Sequence, residues 1–287
     1  MERDILALIN KENRRLSKGQ KQIAKFITEN YDKAAFMTAD KLGRTVGVSE
    51  STVVRFASEL GYDGYPGMRK AMQDMVRNRL TAVQRIEVAK ETIGQDNILN
   101  LVLSSDIDKL QSTLDEVDPR SFDQAVKAIL NAKTIYIVGM RSSTALASFM
   151  GFYLNQMLEN VRLVHDTSVS EVYEQVFRIG EGDVFIGISY PRYSSKTIKA
   201  MEFAKSTGAT AIGITDGDSS PFVGVADVIL YAKSDMVSFL DSLVAPMSLI
   251  NALIVAVGYQ RPDNLSDTYH RLEKIWSEYD VYEKLDD

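Results

Sequence analysis

Apolar residues in the first eighty positions of the 287-residue chain recur at the spacing of amphipathic helices. They return every three or four positions, and polar residues occupy the positions between them. No strand-like alternation longer than a few residues interrupts this pattern. It therefore predicts an all-α domain, whose apolar helix faces include Ile23, Ala24, Phe26, Ile27, Leu42, Val46, Val48, Val53, Val54, Phe56, Ala57 and Leu60.

From residue 132 the pattern changes to short apolar runs that are rich in β-branched residues and are mostly separated by helical stretches. Uniformly apolar strands that alternate with helices are typical of a parallel sheet covered on both faces. The second half of the chain is therefore predicted to be a doubly wound α/β domain. The predicted strands lie in the segments TIYIV, NVRLVH, DVFIGIS, TAIGIT and DVILYA.

These patterns predict a two-domain chain, in which an all-α domain is followed by an α/β doubly wound parallel-sheet domain. Between them, apolar residues such as Leu99, Leu103 and Ile107 repeat at helical spacing, and we interpret this stretch as a connector. The predicted boundaries are 1–77 for the all-α domain, 78–123 for the connector, 124–264 for the α/β domain and 265–287 for a C-terminal helix.

The segment MTADKLGRTVGVSESTVVRFASELGY, residues 37–62, has the layout of a helix-turn-helix. Thr38 and Ser49 are each placed to cap the N-terminus of a helix, and Gly47 supplies the turn between the two helices. Such a motif places its second helix in the major groove of DNA, although an ordinary αα-hairpin with a solvated face has the same layout. The predicted DNA-binding residues are Thr38, Ser49, Ser51, Thr52 and Arg55.

Over about 75 residues this region resembles the N-terminal domain of RpiR-type bacterial transcriptional regulators. The family's characteristic string falls on Gly47, Val48, Ser49, Thr52, Arg55, Phe56, Leu60, Gly61, Gly64, Tyr65 and Met68. One departure is Gly43, where the family usually has Ala, and Gly in a helix interior costs roughly 1 kcal/mol. The resemblance implies a DNA-binding helix-turn-helix domain over 1–77.

Two predicted strands end in loops that combine arginine with serine, GMRSS at 139–143 and SYPRYSS at 189–195. Ligands usually bind at the C-terminal ends of parallel strands. Neither loop has the glycine spacing of a dinucleotide or Walker motif, which argues against NAD and ATP. Hydroxyls at a helix N-terminus and a guanidinium suit an anion, although caps and surface arginines are the alternative. The predicted ligand-binding residues are Gly139, Arg141, Ser142, Ser143, Ser189, Arg192, Ser194 and Ser195.

The second half of the chain resembles the sugar isomerase (SIS) domain, a flavodoxin-like, phosphosugar-binding module that RpiR-type regulators carry after their helix-turn-helix. The family's first loop, G-x-G-x-S, falls on Gly139, Arg141 and Ser143, and its second, S-x-S-G-x-T, falls on Ser189, Pro191, Arg192 and Ser194. An arginine therefore replaces a glycine in each loop, and Pro191 replaces a serine. The two arginines either supply the contacts to the anion or fill the pocket.

Composition and charge narrow the function further. Residues 1–77 carry a net charge of +4 and residues 78–287 a net charge of −10. A basic domain can bind DNA although the rest of the chain is acidic, because the neutralisation of phosphates is local. The chain has no cysteine and only His165 and His270, which excludes a disulfide framework and a thiolate metal site and argues against a multi-histidine metal site. No cofactor or metal is expected.

No pair of residues stands out as a catalytic acid and base. Isomerisation of a phosphosugar needs a general base held beside the substrate. The candidates near strand ends are His165, Asp166, Glu171, Asp216 and Asp241. Because a DNA-binding domain precedes them, we predict a sensor that is not an enzyme. A phosphosugar isomerase-type enzyme with a helical N-terminal extension is the alternative.

The sequence as a whole predicts a cytoplasmic transcriptional regulator of carbohydrate-metabolism genes. The N-terminus lacks the apolar segment of a secretory signal. The longest apolar run, residues 243–257, is short for a membrane span and contains proline and asparagine, so no membrane partner is expected. The expected partners are a double-stranded DNA operator, a small anionic effector (a sugar phosphate or sugar acid) and further copies of the chain in a homodimer or homotetramer.

Overall fold

The fold was established from a computed structural model of the chain. Two compact units emerge, one of Met1–Val102 with Met236–Asp241 and the other of Leu103–Asp235 with Ser242–Asp287. The structure describes residues 5–12, 15–77, 81, 83–86, 97–165, 168–235 and 240–283. Much of the predicted connector between residues 78 and 96, and the candidate base Asp166, lie outside the described residues.

The first unit is helical, as the spacing of apolar residues predicts. Its described helices are α1 (Ile5–Glu12), α2 (Lys18–Glu29), α3 (Tyr31–Ala34), α4 (Ala39–Val46), α5 (Glu50–Glu59) and α6 (Gly64–Arg77). Helix α2 begins with a capping box, in which the side chains of Ser17 and Gln20 each accept a hydrogen bond from the other residue's backbone N–H. Ile23, Leu42 and Phe56 are fully buried in one apolar core.

A tyrosine fixes the position of α4 in this unit. The Tyr65 hydroxyl, on α6, donates a hydrogen bond of 2.9 Å to the carbonyl oxygen of Met37, just before α4. The Tyr65 side chain is buried, and burial, opposed by the nearby Arg69, raises its pKa to about 12. The tyrosine therefore stays protonated and keeps donating this hydrogen bond at physiological pH.

The second unit is built on a five-stranded sheet. Its strands are β1 (Ile135–Gly139), β2 (Val161–Val164), β3 (Val184–Ile188), β4 (Thr210–Thr215) and β5 (Val228–Tyr231). All pairings are parallel and the strand order is β2-β1-β3-β4-β5. This is the flavodoxin-like order. The predicted doubly wound α/β fold is therefore confirmed.

Helices cover both faces of this sheet, which explains why β1 and β3 are buried along their whole length. One core contains residues of α8, α9 and α12, and the other contains residues of α10 and α11. The helices of the unit are α7 (Ile98–Glu116), which begins five residues before it, α8 (Pro119–Asn131), α9 (Ser143–Met157), α10 (Val169–Val176), α11 (Ser195–Ser206), α12 (Val244–Tyr259) and α13 (Pro262–Glu278).

The strand order creates a switch point between β1 and β3. The chain leaves β1 toward β2 on one side and returns to β3 on the other, so the loops after β1 and β3 diverge. Gly139 at the end of β1 lies in register with Ile188 at the end of β3. Both arginine-containing loops therefore begin side by side at the same edge of the sheet.

Candidate functional site

Helices α4 and α5 form the predicted helix-turn-helix. The Thr38 hydroxyl caps α4 by accepting a hydrogen bond of 3.1 Å from the backbone N–H of Lys41. Gly47 ends α4 with φ +78°, a left-handed conformation that glycine adopts without steric cost. Ser49 then caps α5 by accepting from the N–H of Thr52. The predicted turn and both predicted caps are present.

Gly43, the departure from the family pattern, has a local physical reason. A Cβ atom at this position would lie 2.8 Å from the carbonyl oxygen of Val48 and 3.3 Å from the backbone N of Glu50. Glycine therefore lets the backbone of α4 approach the turn and the start of α5. The close approach offsets the cost of a glycine inside a helix.

The outer face of α5 carries a cluster of hydroxyls and one arginine. The Ser49 Oγ lies 2.9 Å from the Ser51 Oγ and 2.8 Å from the Thr52 Oγ1. Arg55 is exposed and donates from Nε to the carbonyl oxygen of Ser51 at 3.3 Å. Val53, Phe56 and Ala57 are buried on the opposite face, as predicted. Thr38 is exposed at the start of a different helix, α4.

In the first loop of the sheet unit, Gly139 allows a close contact between strand and helix. A Cβ atom at Gly139 would lie 2.4 Å from the carbonyl oxygen of Ser143 and 2.9 Å from the Cβ of Ala147, both on α9. Because a backbone atom cannot move aside as a flexible side chain can, the position requires glycine. Gly139 thus brings the N-terminus of α9 against the end of β1.

We expect Gly139→Ala to destabilise the protein by about 3 kcal/mol, because the new methyl group collides with the backbone of α9. Thermal unfolding followed by circular dichroism measures the loss. Gly217→Ala is the matched control, since nothing lies within 4 Å of a Cβ built at Gly217. Equal melting temperatures for the two variants would contradict the close contact.

The other residues of the first loop differ in exposure. Arg141 is exposed and has φ +56°, the left-handed region that favours glycine. Ser142 is exposed, and its side chain makes no capping hydrogen bond to the described part of α9. Ser143 is buried in the first turn of α9. The Thr144 hydroxyl, which the sequence did not single out, donates to the Gly139 carbonyl oxygen at 2.9 Å.

The second loop is held together by its own serines. The buried Ser189 accepts a hydrogen bond of 3.0 Å at Oγ from the backbone N–H of Ser194. Ser194 in turn caps α11 by accepting from the N–H of Thr197. Arg192 and Ser195 are exposed. Ser189 and Ser194 thus fix the shape of the loop, while Arg192 and Ser195 present their side chains to solvent.

A polar cluster after β4 borders this loop, and the sequence did not link it to the site. The Tyr193 hydroxyl donates to the Asp216 Oδ1 at 2.9 Å, and the Thr215 hydroxyl lies 2.8 Å from both the Ser189 carbonyl oxygen and the Ser220 Oγ. In the sequence, Asp216 is only one of the candidate bases. Asp216 directly follows a strand, as the two arginine-containing loops do. This position was the sequence signal that could have placed Asp216 near the ligand site.

The candidate catalytic residues do not converge. His165 follows β2 and Asp216 follows β4, and in this strand order three strand spacings, about 14 Å, separate those strands. Glu171 is exposed on α10, and Asp241 forms an ion pair of 2.9 Å with Arg85. Among the described residues, no group of His, Cys, Asp and Glu could hold a metal ion. In the same part of the chain, no helix is long and apolar enough to cross a bilayer.

Two family models match this arrangement of domains. Residues 3–79 match the helix-turn-helix domain of the rpiR family, and residues 128–256 match the SIS domain. The chain thus joins a helix-turn-helix domain of the rpiR type to a SIS domain. The resemblances seen in GVSESTVVRFASELG and in the two arginine-containing loops are therefore confirmed for both halves of this RpiR-type chain.

Three known proteins illustrate what the RpiR-type chain is similar to. HexR of Pseudomonas aeruginosa, an HTH-type transcriptional regulator, is 22% identical over 276 residues, which are 95% of each chain. The sugar isomerase domain of an RpiR transcription factor from Sphaerobacter thermophilus is 25% identical with a TM-score of 0.59, and the match covers 62% of this chain and 99% of that domain. NanR of Vibrio vulnificus is 20% identical with a TM-score of 0.59, over 96% of this chain and 99% of NanR.

These relatives bear on the choice between a regulator and an enzyme. Several curated proteins that resemble the RpiR-type chain along most of its length are named as HTH-type transcriptional regulators. The prediction of a regulator that is not an enzyme is confirmed at this level.

Proposed function

We propose that the chain is a cytoplasmic, homo-oligomeric transcriptional regulator whose SIS domain senses a small anionic metabolite, a sugar phosphate or a sugar acid. The observation that carries the proposal is that one chain joins an exposed helix-turn-helix face to two arginine-containing loops at neighbouring strand ends. The regulated genes would then belong to carbohydrate metabolism. NanR, which shares the fold, is known in complex with ManNAc-6P, a sugar phosphate.

DNA binding is assigned to α5. Its hydroxyl cluster lies at a helix N-terminus, where backbone N–H groups and the helix dipole favour phosphate. Arg55 lies one turn further along the same exposed face, where its guanidinium can reach a guanine edge or a phosphate. A homodimer or homotetramer would present two such helices to a pseudo-palindromic operator, with half-sites about 34–36 Å apart.

Effector binding is assigned to the two loops after β1 and β3. The N-terminus of α9, with Ser142 and Ser143, supplies hydroxyl and backbone donors for an anion. Arg141 and Arg192 are both exposed at this edge, and each guanidinium is a permanently charged donor for phosphate or carboxylate. Two arginines in place of two family glycines favour a ligand with more negative charge than the family's usual one. The protein would adopt two conformations that differ in their affinity for the effector and for the operator. Binding of one ligand would therefore change the affinity for the other.

The experiment has two arms. DNA selected from a random-sequence pool should bind with an affinity that falls steeply with salt, and a thermal-shift screen of sugar phosphates and sugar acids should identify ligands that raise the melting temperature. A ligand found in the second arm should change the affinity measured in the first. Turnover of a sugar phosphate by the pure protein, or the absence of sequence-specific DNA binding, would overturn the proposal.

A further inference from the structure

A tyrosine joins the loop after β3 to the loop after β4. Tyr193 follows Arg192 in the chain, and its hydroxyl donates a hydrogen bond of 2.9 Å to the Asp216 Oδ1. Asp216 directly follows β4 and is buried, whereas Tyr193 is half-buried. Since β3 and β4 are neighbours in the sheet, the phenol bridges two adjacent strand ends at the edge that carries the candidate effector site.

The Asp216 carboxylate fixes the direction in which the Tyr193 hydroxyl can act. A phenol has one proton to donate, and an ionised carboxylate can only accept hydrogen bonds. The Tyr193 proton is directed at Asp216, so toward any third group the Tyr193 oxygen acts as an acceptor. In its contact of 3.5 Å with the Ser219 Oγ, the serine is therefore the donor. An acceptor of this kind selects a partner that carries a hydroxyl and disfavours an anionic oxygen.

The loop after β4 is held in place from its other side as well. Tyr231, at the end of β5, is hydrogen-bonded to Asp218, and burial followed by this bond and by the nearby negative charges raises the pKa of Tyr231 to about 12. The Ser220 Oγ lies 2.8 Å from the Thr215 hydroxyl oxygen. These bonds fix the loop, and the acceptor at Tyr193 therefore has a set position before any ligand arrives.

The loops at this edge of the sheet differ in the charges they carry. Arg141 follows β1 and Arg192 follows β3, whereas the carboxylates of Asp216 and Asp218 follow β4. Strand β3 lies between β1 and β4, which places the ends of β1 and β4 about 10 Å apart. A ligand lying across these strand ends meets a cation at one end and acceptors at the other. Its anionic group is attracted to the first end and repelled by the second.

A phosphate ester fits the cationic end better than a carboxylate does. At neutral pH a phosphate monoester carries a charge of about −1.5 to −2 and three strong acceptor oxygens. Two guanidinium groups offer several donors in planar forks, and three oxygens can use more of them than the two of a carboxylate. The opposite end, with Tyr193, suits the hydroxyls of the same molecule.

We propose that Tyr193 determines the specificity of the effector site by accepting a hydrogen bond from a hydroxyl of the effector. Asp216 is a positioning residue, which acts by holding the Tyr193 proton. The ligand class is then a phosphate monoester of a polyhydroxy compound, bound with its phosphate toward Arg141 and its hydroxyls toward the loop after β4. The inference deepens the proposed function and rests on it, because it adds a second recognition element to the anion site.

Isothermal titration calorimetry of the full chain tests the role of Tyr193. The probes are glucose-6-phosphate, fructose-6-phosphate, ribose-5-phosphate and, as the ligand without hydroxylated carbons, inorganic phosphate measured by competition. The wild type should bind at least one ester more tightly than inorganic phosphate. Tyr193→Phe, which removes only the hydroxyl, should weaken that ester about 10-fold, the effect of losing one buried hydrogen bond, and change binding of inorganic phosphate by less than about 2-fold.

Tyr231→Phe is the matched control for this variant. It also removes a phenol that is hydrogen-bonded to a carboxylate of the loop after β4, but from the side of β5. We expect it to leave the preference for the ester over inorganic phosphate unchanged. Asp216→Asn keeps an oxygen that can accept from Tyr193 and should retain most of this preference, whereas Asp216→Ala should lose it.

Circular dichroism and thermal unfolding establish that each variant is folded. An unchanged preference in Tyr193→Phe overturns the assignment, and so does an equal loss of ester and inorganic phosphate, which would show that the tyrosine only stiffens the loop. A wild type that binds none of the three esters at millimolar concentration overturns the ligand class. If sugar acids then still raise the melting temperature and DNA binding is sequence-specific, the proposed function stands without this inference.

Discussion

Replacing Arg55 with alanine is expected to weaken binding to the selected operator by roughly 5- to 150-fold, which corresponds to the loss of one arginine contact. Arg55 is exposed on the outer face of α5, and its Nε donates only to the backbone oxygen one turn earlier. Removing its side chain therefore breaks no buried contact. Fluorescence anisotropy with labelled operator, repeated at several salt concentrations, measures the loss.

Lys25→Ala is the matched control for this experiment. It removes one positive charge from the same helical unit, at an exposed position on α2 where the ammonium pairs with Glu29. We expect operator affinity to change by less than about 2-fold, because salt screens an exposed charge that lies outside the assigned helix α5. If Arg55→Ala and Lys25→Ala weaken binding equally, the effect is one of net charge and Arg55 is not at the interface.

Replacing Arg141 with alanine is expected to abolish the rise in melting temperature that the effector produces. Arg141 is exposed after β1, beside the N-terminus of α9, and its guanidinium is the strongest anion-binding group of that loop. Operator binding without effector should be unchanged. A thermal shift that persists in the variant would show that Arg141 is not a contact of the ligand.

Arg141→Gly separates binding from backbone strain. The left-handed φ of +56° costs a residue with a side chain about 1–2 kcal/mol and costs glycine nothing. Without effector, the glycine variant should therefore melt at a higher temperature than the alanine variant, while neither responds to the ligand. Arg178→Ala, at an arginine that stacks on Phe177 beside α10, is the control and should keep the full response.

The sequence predicted the fold well because each element carries its own local pattern. The five strands are short and mostly apolar, and the helix-turn-helix has Thr38, Gly47 and Ser49 at the positions where a cap and a turn are required. Such patterns involve residues that are neighbours in the chain. The strand order depends on contacts between distant segments, and the adjacency of β1 and β3 became visible only in the structure.

The candidate site was less predictable, since the hydrogen bonds between its loops join residues far apart in the chain. Tyr193 donates to Asp216, 23 positions away, and Thr215 to the carbonyl oxygen of Ser189, 26 positions away. Sequence spacing carries no information on such pairs. The role of Gly43 was also not predictable from the sequence, because its close contact with the turn depends on how α4 and α5 cross.

The hydrogen bonds that connect the loops after β3 and β4 have a consequence for the speed of signalling. Ser189, Tyr193 and Asp216 hold these loops in place without a ligand, so an arriving effector does not have to order them first. Association can then proceed at the ordinary rate for a preformed site, and the lifetime of the complex decides the affinity. The regulator would follow changes in metabolite concentration within the residence time of a single effector molecule.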